Sequence, residues 1–332
     1  MLVALAIGVI VAVASGGAAH KGRSPARASS PHKTVKAPGS GAKSAPTAFA
    51  VGLRVMRLVD VSRTIALPNE PTAPRTLVTY VRYPASGEPA QTDLRNAPPA
   101  QGAGRFPLIV FGHGFDVTPT LYQRLLQSWA RAGFVVAAPV FPLENANAPG
   151  GPDESDLTNQ PADMRFVISS LLAASSASTG PLSGLIDPGS IAVAGQSDGG
   201  DTALAVAYDS RFRDPRVRAA VILSGAEIPA TGSFTFEPGS PPLLATQGTA
   251  DAVNPPALTS AFFQSAQRPK YLLSLLGAEH LPPYSTEQPQ LGIVERVTIA
   301  FLDGYLKHAS SELRRLTSLG SVPRVASLLA EP

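Results

Sequence analysis

The chain has 332 residues, 44% of them hydrophobic and 15% charged, enough for one large domain or two modest ones around a buried core. Its formal charge of +3 is uneven: Lys21, Arg23, Arg27, Lys33, Lys36 and Lys43 are the six basic groups of an acid-free stretch of 48 residues, and the remainder carries 21 basic against 24 acidic side chains. That balance excludes a nucleic-acid footprint on the folded part, and the lack of cysteine excludes a thiol nucleophile and cysteine-ligated metals.

In chain order, the first element is the apolar run Met1 to Ala14, too short to span a bilayer and suited to the core of an export signal. Ala12-Val13-Ala14 and Gly17-Ala18-Ala19 are small-x-small cleavage sites. Without a basic leader, residues 1–19 read either as a cleaved signal peptide or as an uncleaved N-terminal anchor, and the protein is expected to be secreted or associated with the cell envelope. Residues 20–48, rich in Pro, Ser, Ala and Lys, bury too little apolar surface to offset ordering entropy and read as a disordered linker. One catalytic domain is expected over residues 49–330.

Val51–Val59 and Thr76–Tyr83 alternate like two antiparallel strands at a sheet edge. Phe106–Phe111 is a continuous apolar run, as in a buried parallel strand. A helix over 121–132 leads to a strand over 134–140, and a helix over 162–174 to a strand over 191–194. A helix over 199–208 precedes strands at 217–223 and 242–246. A helix over 256–267, a strand over 270–276 and a helix over 291–307 complete the set. Strands alternating with helices imply parallel crossovers and a mostly parallel twisted sheet, helices on both faces, with an antiparallel start.

Gly195-Gln-Ser-Asp-Gly-Gly200 lies between a strand and a helix. A hydroxyl needs a base to become a nucleophile, and a glycine-flanked strand-to-helix turn pushes the Ser197 oxygen out above the sheet. The base is expected downstream, where only His280 and His308 follow. His280 sits in the loop after the last strand, whereas His308 ends a long helix and reads as a solvent-facing cation. Asp251, at the carboxyl end of a parallel strand, is the expected partner of the imidazole. Asp201 and Glu279 are rivals, better read as solvated charges. The oxyanion donors are expected to be the backbone N–H of Asp198 and, from the turn Gly112-His-Gly-Phe115, the backbone N–H of Phe115. His113 reads as a brace for that turn.

With those residues in place the chain resembles the α/β-hydrolase superfamily, and within it the group of platelet-activating-factor acetylhydrolase-like enzymes, chlorophyllases and polyester hydrolases. The similarity rests on Gly195–Gly200, Phe111-Gly-His-Gly-Phe115, Gln247-Gly-Thr-Ala-Asp251 and Gly277-Ala-Glu-His280, with Asp60-Val-Ser-Arg63, Arg75-Thr-Leu, Tyr83-Pro84 and Asn159-Gln-Pro-Ala-Asp-Met164 in support. It covers nearly all of 50–330. It implies hydrolysis of a carboxylic ester, small-molecule or lipid, through an acyl-enzyme on a Ser197–His280–Asp251 triad, with no cofactor and no metal. The alternatives are acyl transfer to an alcohol and an envelope-bound binding protein that has kept the fold without turnover. Two features depart from the group. Asp198 follows the serine, where a carboxylate opposes an oxyanion unless turned away, screened or paired, or else greets a cationic substrate. The disulfide of several secreted polyester hydrolases is also missing. The loop 144–157 and the segment 227–239 are expected to rim the pocket.

Overall fold

A computed structural model describes residues 48–68, 71–228 and 235–332. The signal or anchor expected over 1–19, and the linker over 20–48 up to residue 47, lie outside the described residues. Among those described, no helix is long and apolar enough to cross a membrane.

The strands are β1 (Ala50–Ile65), β2 (Ala73–Ala85), β3 (Leu94–Arg95), β4 (Phe106–Gly112), β5 (Val135–Val140), β6 (Ile186–Gln196), β7 (Val217–Leu223), β8 (Leu243–Gly248), β9 (Lys270–Leu275) and β10 (Ala326–Glu331). The helices are α1 (Gln123–Arg131), α2 (Gln160–Ser176), α3 (Asp198–Tyr208), α4 (Pro256–Ser265), α5 (Pro282–Ser285), α6 (Gln290–Leu306) and α7 (Ser310–Gly320). All the strands join one sheet in the order β10-β9-β8-β7-β6-β4-β5-β2-β1-β3. The run from β9 to β5 is parallel, whereas β2 pairs antiparallel with β5 and with β1, and β10 antiparallel with β9.

Period-two alternation sends the side chains of each central strand to two separate cores. On β4, Leu108 and Val110 join Met164, Val167, Ile168 and Leu171 of α2, together with α3 and α4. Ile109 and Phe111 point the other way, to Leu125, Leu126 and Trp129 of α1 and to Val294, Val297 and Phe301 of α6. Burial on both faces is why these strands read as unbroken apolar runs. Helix boundaries have local causes too. Pro161 occupies the first turn of α2, where its missing N–H costs nothing. Gly133 at φ +96° ends the turn after α1.

A buried ion cluster fastens the antiparallel hairpin to α2. Arg75, on β2, donates to both oxygens of Asp156 at 2.9 and 2.7 Å and to both oxygens of Asp163 at 2.7 and 2.6 Å. Arg63 reaches Asp163 at 2.7 Å and Asp60 at 2.7 Å.

The expected elements appear, some with wider and some with narrower bounds, while β3, α5 and the tail go beyond them. Residues after 310, where no element was expected, form α7 and β10. β10 has the period-two pattern that would have revealed it: Ala326 and Leu328 are buried while Ser327 and Leu329 are exposed.

The strand order also fixes where a site can form. From β4 the chain passes to β5 on one side and then returns to place β6 on the other. The carboxyl ends of β4 and β6 thus flank a topological switch point, where open α/β sheets leave a crevice.

Candidate functional site

β6 ends at Gln196 and α3 begins at Asp198, so the whole reversal of direction falls on Ser197. Its φ of +55° and ψ of −127° are costly for a residue with a side chain, by roughly 1–3 kcal/mol. The neighbours accommodate the turn by lacking side chains. A Cβ at Gly195 would strike the carbonyl of Gly199, and one at Gly199 would strike the carbonyl of Gly112. The helix start therefore packs backbone to backbone against β6 and the end of β4. Ser197 retains 8% exposure.

Two neighbouring parallel strands bring up the other groups. β8 and β9 stay in register to Gly248 and Leu275. Their following loops are then tied together, with Ala250 N–H donating to the Ala278 carbonyl at 2.9 Å and Gly277 N–H to Thr249 Oγ1 at 2.8 Å. One loop carries Asp251 and the other His280. His280 Nδ1 lies 2.8 Å from Asp251 Oδ2, and Nε2 lies 2.9 Å from Ser197 Oγ. A carboxylate only accepts, so the proton sits on Nδ1 and Nε2 is left to accept the serine O–H.

Asp251 is held by donors on both oxygens. Val253 and Asn254 N–H reach Oδ1 at 3.0 and 2.9 Å, and Gln247 Nε2 reaches Oδ2 at 3.1 Å beside the imidazole. Burial pushes its pKa up, but the hydrogen bonds from His280 and the Asn254 amide outweigh that and hold it below the usual value.

A second chain of hydrogen bonds crosses the same rim. Gly114 N–H donates to Tyr122 Oη at 3.3 Å, and the Tyr122 hydroxyl donates to Gln196 Oε1 at 2.6 Å. Gln196 Nε2 then donates to the His280 carbonyl at 3.2 Å, and lies 3.2 Å from His280 Nε2. The turn after β4, the serine strand and the histidine loop are thereby joined. His113 braces the turn as its position suggested. Phe141 N–H donates to its Nε2 at 3.0 Å, its Nδ1 contacts the Gly114 carbonyl at 2.8 Å, and burial lowers its pKa to about 4, so the ring is neutral.

The two amides expected to face an oxyanion belong to two separate turns, one after β4 and one at the start of α3. Asp198 opens α3, so its N–H has no acceptor within the helix. Phe115 follows Gly114, and the next N–H, of Asp116, is fixed on the Glu144 carbonyl at 3.0 Å.

The rival acids lie elsewhere. Asp201 is buried rather than solvated, which corrects the reading of it as a surface charge: its Oδ1 accepts from the Ala226 N–H, and burial drives its pKa well up. Glu279 and His308 are exposed. The Asp198 side chain lies against the carboxyl of Glu144. Of the segment 227–239 expected at the rim, residues 229–234 lie outside the described residues. Among those described, no group of three or more acids and histidines is arranged to hold a metal ion. A separate groove of about 1030 Å³, lined in part by Arg124, Arg131, Glu295 and Asp303, shares no residue with this constellation.

Sequence reasoning gave no role to Gln196, Tyr122 or Gln247, and named Glu144 only as the start of a loop expected to rim the pocket. Gln196 and Gln247 stood inside quoted motifs, and a long amide beside a nucleophile or an acid was the available signal. Tyr122 and Glu144 had none, because their partners come from distant parts of the chain.

Among curated proteins, none matches the chain significantly. A model of the chlorophyllase family matches residues 78–248, just over half of the chain. The match takes in the 112–115 turn and Ser197 and stops short of Asp251 and His280. The sheet order of the structure agrees with it, a mostly parallel twisted sheet with helices on both faces. The chain belongs to the chlorophyllase family of the α/β-hydrolase superfamily, a family of carboxylesterase-type hydrolases.

Proposed function

We propose that this protein is a serine carboxylic-ester hydrolase working through an acyl-enzyme. The observation that carries the reading is the unbroken relay from Ser197 Oγ to His280 Nε2 at 2.9 Å and from His280 Nδ1 to Asp251 at 2.8 Å. Ser197 attacks the ester carbonyl while His280 takes its proton, and Asp251 stabilises the imidazolium formed. The carbonyl oxygen gains negative charge, and the Asp198 and Phe115 N–H groups donate to it. His280 returns the proton to the leaving alcohol. Water then attacks the acyl-serine with His280 again as base, and release of the acid regenerates the enzyme.

The test is a series of aryl esters of increasing acyl length, with a fluorophosphonate to label the nucleophile. Wild-type protein is expected to turn over at least one ester and to take up the probe on Ser197. Ser197→Ala is expected to lose on the order of 10⁶-fold in kcat and all labelling. Labelling that persists in Ser197→Ala, or wild-type protein inert to both ester and probe, would remove the proposal. Formation mainly of a transesterified product when a competing alcohol is added would replace hydrolysis by acyl transfer.

A further inference from the structure

Glu144, in the loop after β5, is 0% exposed, and neither of its carboxylate oxygens receives a hydrogen bond from an N–H or O–H among the described residues. Its side chain meets instead another acid, Asp198, whose Oδ2 is likewise buried without a donor. Two ionised carboxylates cannot face each other in such a place: each repels the other and both lack hydration. The other charged groups acting on Glu144 are Asp156 and Glu154, both acids, and Asp156 is already engaged by Arg75. On the side of α3, Asp201 and the Tyr122 phenol also lie within electrostatic reach of Asp198. Among the described residues no cation acts on Glu144; a proton satisfies it.

The backbone of Glu144 is occupied as well. Its carbonyl accepts from Asp116 N–H at 3.0 Å, one residue beyond Phe115. One buried residue therefore touches both sides of the crevice, the turn after β4 through its main chain and the first residue of α3 through its side chain.

We propose that Glu144 is a positioning residue that clamps the two oxyanion donors, its protonated carboxyl donating to Asp198 while its carbonyl holds the 113–116 turn. This rests on the hydrolase reading and deepens it. Drawn to Glu144, the Asp198 carboxylate is kept from the developing oxyanion, while its own N–H stays aimed at it. Burial is the largest cause of the proton's retention, and it pushes the Glu144 pKa up to about 11, with Asp198 adding to the rise. Glu144 keeps its proton across the neutral range. The acid that follows the nucleophile is thus compatible with esterolysis because a second acid, 54 positions earlier in the sequence, supplies a proton.

Two variants and a spectrum test this. Glu144→Gln keeps a donor toward Asp198 and is expected to stay within about 5-fold of wild-type kcat, whereas Glu144→Leu, which leaves Asp198 unpaired, loses on the order of 10- to 100-fold in kcat and in fluorophosphonate labelling rate with KM nearly unmoved. Infrared difference spectra at neutral pH are expected to show a protonated carboxyl C=O band in wild-type protein, sensitive to D₂O and missing from Glu144→Gln. The infrared result reads the proton whether or not Glu144→Leu folds. Absence of that band in wild-type protein, or equal kcat for the Gln and Leu variants in folded protein, overturns the inference. Wild-type protein that shows the band but takes up no fluorophosphonate would instead sink the hydrolase reading and leave the shared proton standing.

Discussion

Two buried carboxyl groups near Ser197, Asp251 and Glu144, differ in the donors around them and in the direction of their pKa shifts. Asp251 is 3% exposed and collects two backbone N–H groups, a side-chain amide and the imidazole, so it is held ionised below its usual pKa. Glu144 is equally buried, receives none of these, and faces a second acid, so it keeps its proton. Burial alone penalises charge in both. The number of donors aimed at each carboxyl decides the outcome, and with it the task that each can perform: a carboxylate to steady an imidazolium, an acid to donate. The Arg75 cluster shares with Asp251 its supply of donors, since both oxygens of Asp156 and of Asp163 accept from the guanidinium, although burial still raises the Asp163 pKa.

Changing donors is therefore the way to break this comparison. The largest effect is expected at Asp251. Asp251→Asn turns an acceptor toward Nδ1 into a group that can also donate, releases the imidazole from the required tautomer, and should cost on the order of 10³- to 10⁴-fold in kcat. Ester turnover by purified protein checks this, and a loss below about 10-fold would show that Asp251 does not orient the histidine.

Next comes Arg75→Met, which removes all four Arg75 guanidinium bonds to Asp156 and Asp163 at once. Leaving buried carboxylates uncompensated should destabilise the fold by about 3–5 kcal/mol, measured by urea unfolding at neutral pH. Unchanged stability would mean that the remaining partner, Arg63, is sufficient by itself.

The third effect is one of slope, smallest per unit of pH. Because the folded pKa of Glu144 lies near 11 and its ordinary value is 4.5, unfolding releases a proton anywhere between those limits. Its contribution is thus complete below about pH 4.5 and is lost as pH rises toward about 11. Glu144→Gln removes this dependence, so its stability relative to wild type should rise with pH, by at most about 1.4 kcal/mol per unit. Asp251 has the reverse sign: its lowered pKa stabilises above 3.8 and is lost as pH falls through the folded value. Melting temperatures of wild type and Glu144→Gln at a series of pH values from acid to mildly alkaline read the difference, and parallel curves would sharpen the comparison against a protonated Glu144.

Much of the scaffold was legible from local pattern. The apolar run at 106–111 and the glycine-flanked serine announced a buried strand and a sharp turn, because strand burial and backbone crowding leave marks within a few residues. The order of serine, acid and histidine followed from the alternation of strands and helices. The tail was legible in principle, since β10 alternates buried and exposed residues over Ala326–Glu331, but six residues at a chain end make a short signal. Asp201 was not legible: a polar residue in the first turn of a helix looks solvated until the Ala226 N–H is seen to cover it.

What the sequence determined by itself is whatever depends on periodicity and on residues adjacent in the chain: the parallel sheet, the turn at Ser197, the positions able to supply an acid and a base. What only the tertiary structure decided is which polar groups meet, that Gln196 joins Tyr122 to the histidine loop, that Asp251 is surrounded by donors, that Asp198 finds Glu144. The physical reason is that a side chain's charge depends on the donors and solvent around it, and those are brought together by strand order across long separations. No local pattern records them.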